Sequence, residues 1–148
     1  QQVSGRAGRS NQQGKVFIQT YYPNQPVIKS LQKRDRKKFV EQSLKDRQDF
    51  LIPPFGFMNS LILSGSSKVK TEMYGKKIIQ ISKIPEKITI LGPVEAPIFL
   101  LKGKYRFRIL IKGNNRKILN KFTKFILKKC PTPNGIKLIV DVDPYSFM

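Results

Sequence analysis

The spacing of hydrophobic and polar positions changes several times along the chain, and each change predicts a different element. Residues 15–20 (KVFIQT) have the apolar content of a short buried strand. Residues 21–26 contain two prolines and an asparagine, which indicates a turn or linker. Residues 31–51 have a helical period and a strongly basic outer side, and Pro53 and Pro54 then end the helix.

From residue 56 onward, short strands alternate with helices. The pattern predicts strands at residues 57–63, 87–91, 104–112 and 136–142. One helix follows the capping residues 64–67 and reaches about residue 82, although Gly75 lowers its helix propensity. A second helix runs to about residue 129 after an N-cap at Asn114 or Asn115. The predicted fold class is therefore α+β, with a split β-α-β-β-α-β order and both helices on one face of the sheet.

The strand at residues 104–112 combines aromatic and basic side chains. Strict alternation places Tyr105 and Phe107 on the apolar side and Arg106 and Arg108 on the other. Aromatic rings between cations can stack nucleic-acid bases while the cations hold phosphates. Because the alternation turns these rings inward, we predict that they belong to the core and that the two arginines form an exposed, DNA-binding pair.

The helix at residues 115–129 carries two stripes. Four apolar residues recur at helical spacing and are expected to face the core: Ile118, Phe122, Phe125 and Ile126. Four lysines line another face: Lys117, Lys121, Lys124 and Lys128. The simplest role for such a face is solvation. However, like charges at this spacing repel one another, which favours a face that follows phosphates or binds an acidic segment.

The overall charge agrees with a polyanionic partner. The chain has 29 Lys and Arg against 9 Asp and Glu, a formal net charge of +20. Such a field attracts nucleic acid, an anionic membrane surface or the acidic tail of another protein. A genome rich in lysine codons would exchange Arg for Lys but would not by itself remove acidic residues.

Several classes of site are excluded by composition. One cysteine, Cys130, and no histidine leave no disulfide, no cysteine-based zinc site and no Ser-His-Asp or Cys-His catalysis within this chain. Asp141 and Asp143 are expected to form ion pairs or to cap the sheet edge rather than to bind a metal. No apolar run approaches the ~20 residues of a membrane span, and no signal peptide is visible, so a cytoplasmic location is expected. The chain begins with Gln1, and we interpret it as a fragment of a longer protein.

The N-terminal string Q-x-x-G-R-x-x-R contains Gln2, Arg6 and Arg9. Two guanidinium groups three residues apart on a glycine-permitted turn can reach the charge that develops on a γ-phosphate during phosphoryl transfer. A glycine- and arginine-rich loop that binds phosphates without specificity, or one that is merely solvated, has the same composition.

Taken together, these strings resemble one family. QVSGRAGR followed by VFIQTYYPNQPVI looks like helicase motif VI and the end of the second RecA-like lobe of superfamily 2 helicases. PPF at residues 53–55, LGPV at 91–94, KYRF at 104–107 and DVDP at 141–144 resemble the primosomal protein N′ (PriA) family of replication-restart helicases. The resemblance covers essentially the whole chain in order and approximate spacing.

The resemblance implies three segments: the end of a RecA-like helicase lobe over residues 1–26, a connecting basic helix over 27–55, and a domain similar to ribosomal protein S10 over 56–148. It also implies that Arg9 is the finger to the γ-phosphate, that Arg6 is its companion and that Gln2 couples the nucleotide to the lobe interface. ATP, Mg²⁺ and zinc would belong to the full-length protein. This chain contains no P-loop and no Walker B acidic pair, so by itself it should bind none of them and hydrolyse nothing.

The function that the resemblance implies is that of an ATP-dependent DNA helicase that restarts replication at stalled or branched forks. The expected partners are forked DNA, other primosome proteins and the acidic tail of single-stranded DNA-binding protein, with no membrane and a monomeric state. Arg116 and Asn120 match the Arg and Gln that hold that tail in the family, although Asn120 is one methylene shorter than glutamine.

Two other classes of function remain open from the sequence. One is a stand-alone, ribosomal-protein-like nucleic-acid-binding module, and the other is a protein-docking domain whose charge meets an acidic partner.

Overall fold

The computed structural model describes residues 15–33, 35–80 and 83–144. The chain divides into two compact units, Gln1–Asp46 and Arg47–Met148. The described candidate binding residues all belong to the second unit.

The helices that precede the sheet differ from the single helix predicted over residues 31–51. Helix α1 spans Pro26–Lys33 and helix α2 spans Arg36–Asp49. Pro26 suits the first helical position because its missing N–H would have no intrahelical partner there. Asp35 separates the two helices: its Oδ1 accepts a hydrogen bond from the Lys38 backbone N at 3.0 Å, as an N-cap does. The second helix therefore has its own start.

The strand predicted at residues 15–20 is wrong. All six residues are exposed and have no regular secondary structure. A strand is stable only when its backbone groups pair with a neighbouring strand, and the described part of the first unit contains none. The RecA-like lobe that the resemblance implies stays a prediction.

The second unit contains a four-stranded antiparallel sheet and two helices. Its elements are β1 (Phe57–Gly65), α3 (Lys68–Gln80), β2 (Ile88–Leu101), β3 (Lys104–Gly113), α4 (Arg116–Lys129) and β4 (Ile136–Val142). The strand order is β2-β3-β1-β4. The predicted α+β class and the β-α-β-β-α-β order are confirmed. Strand β2 is longer than predicted because its pairing with β3 resumes after two register shifts.

The core of this unit lies between the sheet and the two helices. Alternate residues of β1 and β3 meet in register, with Leu61 opposite Ile109 and Leu63 opposite Phe107. They pack with buried side chains from both helices, namely Tyr74, Ile78, Leu119, Phe122 and Ile126. Each fully buried aliphatic side chain contributes about 1.5–3 kcal/mol, so this layer is the main source of stability. The inward orientation predicted for Phe107 is confirmed.

Gly75 lies in the middle of α3, where it lowers intrinsic helix stability. A Cβ atom at this position would lie 2.9 Å from the Pro93 Cβ and 3.1 Å from the Leu63 Cδ1. The glycine therefore allows α3 to approach β1 and β2 closely, and the packing that results offsets its low helix propensity.

Candidate nucleic-acid interface

Helix α4 is the element with the most candidate residues, and it is capped at both ends. The Asn115 Oδ1 accepts a hydrogen bond from the Ile118 backbone N at 3.1 Å. At the other end, the Cys130 backbone N donates to the Ile126 carbonyl at 2.8 Å. These bonds satisfy backbone groups that the helix leaves without an internal partner. The N-cap predicted at Asn114 or Asn115 is thus Asn115.

The face of α4 that packs on the sheet agrees with the prediction in part, because Phe122 and Ile126 are buried as predicted. Ile118 and Phe125 were expected in the core, but they are 40% and 43% exposed. The buried positions are Leu119, Phe122, Thr123 and Ile126. These four positions are spaced three and four residues apart, as one helix face requires, whereas Ile118 and Phe125 lie on its edge. Leu119 and Thr123 therefore shift the core face by roughly one position.

The lysine stripe of α4 consists of Lys117, Lys121, Lys124 and Lys128. All four are exposed. At 3.6 residues per turn, they lie on the side of the helix opposite the buried positions. The ion pairs found among the described residues are Lys37–Glu41, Lys68–Glu95, Lys76–Glu72 and Arg116–Asp143, so no carboxylate neutralises this stripe. The predicted exposed, uniformly basic face is confirmed, and its binding role stays a prediction.

Phe125 lies on the edge of the lysine stripe, between Lys121 and Lys129 along the helix. Its ring is stacked on that of Phe122, with the centroids 6.5 Å apart and the planes at 21°. One face of Phe125 is thus turned to a buried ring, while its exposed area is accessible from solvent. This geometry brings an aromatic surface next to several ammonium groups.

Arg116, a predicted contact for an acidic tail, is engaged within the chain. Its Nη2 lies 2.6 Å from the Asp143 Oδ2. Its guanidinium also lies over the Phe57 ring, 4.7 Å from the centroid. About half of the Arg116 side chain is still exposed, so a second carboxylate can approach it.

Asn120, the second predicted tail contact, lies one helical turn from Arg116 and is half-buried. Its Oδ1 accepts a hydrogen bond at 3.2 Å from the Nδ2 of Asn59, which also donates to the Thr123 Oγ1 at 2.9 Å. The acceptor atom of Asn120 is thus occupied, and its amide nitrogen is the atom suited to an incoming carboxylate. The sequence prediction did not include Asn59, whose polar side chain within an apolar strand was the available signal.

The two arginines of β3 are not an equally exposed pair. Both lie on the sheet face away from the helices, but Arg108 is only 7% exposed, whereas Arg106 is half-buried. Arg108 lies on a central strand with Ile62 of β1 on one side and Val94 of β2 on the other. Arg106 lies beside the register shift of β2, where pairing with β3 is interrupted. The expectation that Arg108 is exposed is wrong, and only Arg106 offers much surface to a phosphate.

Asp143 has the structural role that was expected of the aspartate pair. In addition to its ion pair with Arg116, its Oδ1 accepts a hydrogen bond from the Met58 backbone N at 3.0 Å. Within residues 15–33, 35–80 and 83–144 there is no group of three or more His, Cys, Asp or Glu residues that could hold a metal ion.

Cys130 is buried at the end of α4. Burial raises the pKa of its thiol, and the positive charge of Lys77 opposes this only in part. A buried, protonated thiol is a poor nucleophile, which agrees with the structural role expected for this residue.

Gln2, Arg6 and Arg9 lie outside the described residues, so their roles in ATP hydrolysis stay predictions. Among the described helices, none is long and apolar enough to cross a membrane.

The sequence matches the family described as Primosomal protein N C-terminal domain over residues 48–145. The chain belongs to this family. The match covers all of β1 to β4 and both helices of the second unit. The resemblance to the primosomal protein N′ family that the motifs indicated is therefore confirmed.

Curated relatives of this primosomal family carry the name Replication restart protein PriA and match nearly all of the chain. The protein from Rickettsia conorii is 38% identical over 146 residues, that from Synechocystis sp. 34% over 151, and that from Bacillus subtilis 30% over 152. These alignments cover 99%, 98% and 99% of this chain, but only 22%, 17% and 19% of the relatives. The chain thus spans about a fifth of the length of the curated relatives that it matches.

Among solved structures, the C-terminal DNA-binding domain of the MHV-68 latency-associated nuclear antigen matches 68% of this chain and 87% of its own. The TM-score is 0.35 and the identity 11%, values too low to support an inference.

Proposed function

We propose that this chain is the C-terminal part of an ATP-dependent DNA helicase that recognises stalled or branched replication forks and restarts replication with other primosome proteins. Membership of the primosomal protein N C-terminal domain family supports this function, as do relatives named as replication restart proteins. The protein would act in the cytoplasm as a monomer.

The motor activity would require the full-length protein. Arg9 would reach the γ-phosphate, Arg6 would assist it, and Gln2 would couple the nucleotide to the interface between the helicase lobes. The parts that bind ATP, Mg²⁺ and zinc would lie elsewhere in the full-length protein. We expect no DNA-stimulated ATP hydrolysis from these 148 residues alone. In the full-length protein, ATP hydrolysis that survives an Arg9→Ala substitution would show that Arg9 has no such role.

DNA binding would be the contribution of the second unit. The observation that carries this proposal is the lysine stripe of α4, which is exposed, lies opposite the core and has no carboxylate partner among the described ion pairs. Phosphates that replace the missing carboxylates would relieve the repulsion between the lysines and release counterions from the DNA. Arg106 would extend the contact surface from the sheet.

Fluorescence anisotropy across a salt series tests this interface. The full chain is titrated with a forked duplex, a linear duplex, single-stranded DNA and a structured RNA. The variant K121A/K124A/K128A is compared with K70A/K83A/K87A, which removes the same charge from exposed lysines outside α4. If each stripe lysine neutralises one phosphate, the slope of log K against log salt becomes shallower by about 2–3 in the first variant, and stays near that of the unsubstituted chain in the second.

Each outcome has a distinct meaning. A fork preference that persists as salt rises supports fork recognition by this unit. Equal losses of DNA affinity and of salt slope in the two variants would show that the positive charge attracts DNA without a specific site. That result would contradict an interface on α4. RNA binding that is tight and outlasts high salt would favour the ribosomal-protein-like alternative.

The tail of single-stranded DNA-binding protein would bind on the side of α4 that carries Arg116 and Asn120. Its carboxylates would contact the guanidinium of Arg116 and the amide nitrogen of Asn120. We expect Arg116→Ala to abolish binding of an acidic tail peptide with a free C-terminus, while the salt dependence of DNA binding stays unchanged. If R116A binds the peptide normally, the tail site lies elsewhere.

A further inference from the structure

A concave surface lies within the second unit, away from Arg116. It is a cavity of about 720 Å³ between α3 and the loop that joins α4 to β4. One wall consists of α3 residues that share a face, from Lys70 to Gln80. At 1.5 Å per residue this wall is about 15 Å long, which equals four to five residues of extended chain. The opposite wall is formed by residues 133–136.

The charges that line this cavity are all positive. They come from Lys70, Lys76 and Lys77, and none of the described residues in the lining has a carboxylate. Of these lysines, only Lys76 takes part in an ion pair found among the described residues, with Glu72. Lys70 and Lys77 lie two helical turns apart on the same wall. A ligand with negative charges near both ends of the cavity would therefore be favoured.

The apolar part of the lining limits the class of ligand further. Tyr74 is 4% exposed, and its hydroxyl donates to the Cys130 carbonyl at 2.9 Å, so it offers no free ring face on which a base could stack. Met73 is 63% exposed, and its flexible thioether can adapt to varied apolar side chains. The amides of Gln80 and Asn134 can both donate to and accept from a peptide backbone.

We propose that this cavity binds an extended acidic segment of a partner protein, four to five residues long and with at least one apolar side chain. Carboxylates would pair with Lys70 and Lys77, and the apolar side chain would pack on Met73. The binding of DNA by α4 and of a tail by Arg116 is independent of this site.

The test uses the capped hexapeptide acetyl-(Glu-Leu)₃-amide, carrying a fluorophore, which has no free C-terminal carboxylate. Its anisotropy is measured with the full chain and with two substitutions of equally exposed apolar residues on α3. Met73 lines the cavity, whereas Val69, at 64% exposure, does not. We expect M73A to weaken binding about three- to tenfold and V69A to leave it unchanged. Because both side chains are exposed, neither substitution endangers folding.

Charge substitutions separate this site from α4. K70E/K77E should reduce peptide affinity at least tenfold, whereas K124E/K128E, which changes the net charge equally, and R116A should not. The proposal is overturned if K124E/K128E or R116A abolishes binding while K70E/K77E does not, or if M73A and V69A behave alike. It is also overturned if a capped Lys-Leu hexapeptide binds equally well, or if K70E/K77E affects only the binding of single-stranded DNA.

Discussion

Arg116 and Asp143 form an ion pair, with the guanidinium Nη2 2.6 Å from the carboxylate Oδ2. The same carboxylate accepts the Met58 backbone N–H through its Oδ1. Asp143 therefore joins the first turn of α4 to the beginning of β1, at the point where β4 ends. Asp143 thus occupies the guanidinium of Arg116 with a carboxylate of this chain, whereas the proposed function assigns Arg116 to a carboxylate of the acidic tail.

Replacing Asp143 by asparagine should release Arg116 without disturbing the backbone. Asparagine retains an acceptor for Met58 and tolerates the positive φ of 47° at this position. Because the internal competitor loses its charge, D143N should bind the acidic tail peptide several-fold more tightly, as measured by anisotropy. Its free energy of unfolding should fall by no more than about 1 kcal/mol, since Arg116 is half-exposed.

The matched control for this substitution is Asp141→Asn. Asp141 is exposed on β4, two residues before Asp143, and belongs to none of the ion pairs found among the described residues. D141N changes the net charge equally and should leave peptide affinity almost unchanged. Equal gains in the two variants would indicate a general charge effect rather than competition at Arg116.

Arg106 and Arg108 should respond differently to substitution by alanine. Arg108 is buried between Ile62 and Val94, so R108A should lower the free energy of unfolding by about 1–3 kcal/mol through lost packing and polar contacts. R106A should lower it much less but weaken DNA binding, with a shallower salt slope. Urea unfolding and salt-dependent anisotropy measure the two effects. If R108A lost more DNA affinity than R106A and kept its stability, these separate roles of the two arginines would be contradicted.

Phe125 should contribute to binding of single strands, whose unpaired bases can stack on its exposed side. Stacking on an aromatic side chain contributes about 1–3 kcal/mol per base, so F125A should weaken binding of a short oligo(dT) by roughly fivefold or more. Ile118 is exposed to a similar extent and lies two turns away on the same flank, but it has no π-face. Equal effects of F125A and I118A on anisotropy titrations would show that stacking is absent.

The stability of the second unit should decrease at alkaline pH. Burial raises the pKa of Tyr74 above its ordinary value of 10.0, although its hydrogen bond with Thr132 opposes the shift, and burial raises the pKa of Cys130 above 9.0. In the unfolded chain both groups have their ordinary pKa values, so as the pH rises the unfolded chain loses these protons before the folded chain does. Their contribution to stability is complete below about pH 8 and is lost as the pH rises from about 9 through the folded-state pKa values.

Urea unfolding between pH 8 and pH 10.5 measures this decrease. Y74F and C130A each remove one of the titrating groups and should flatten the curve, whereas Y21F, at an exposed tyrosine, should not. At pH 8, Y74F should also cost about 1–2 kcal/mol, because the buried Cys130 carbonyl loses its hydrogen bond from the Tyr74 hydroxyl. Parallel curves for all three variants would contradict the assignment of the titration to Tyr74 and Cys130.

The sequence by itself determined the features that depend on local periodicity. The alternation of β3 and the spacing of the α4 lysines each follow from a few neighbouring residues, and both are found in the structure. The sequence also predicted an N-cap at Asn114 or Asn115, and the structure places it at Asn115. The family was also determined by the sequence, because its motifs are short strings in a fixed order.

Tertiary structure decided which of two chemically similar residues is buried and which is exposed. Ile118 and Leu119 are both apolar, and only packing against the sheet decides that Leu119 is buried. Arg106 and Arg108 alternate identically along β3, but the neighbouring strands cover only the second. The pairing of Arg116 with Asp143 and the cavity beside α3 bring together residues that are distant in sequence, and local patterns carry no information about such contacts. The burial of a side chain and the groups that it contacts depend on its surroundings in three dimensions. The hydrophobic period of one strand or helix does not specify those surroundings.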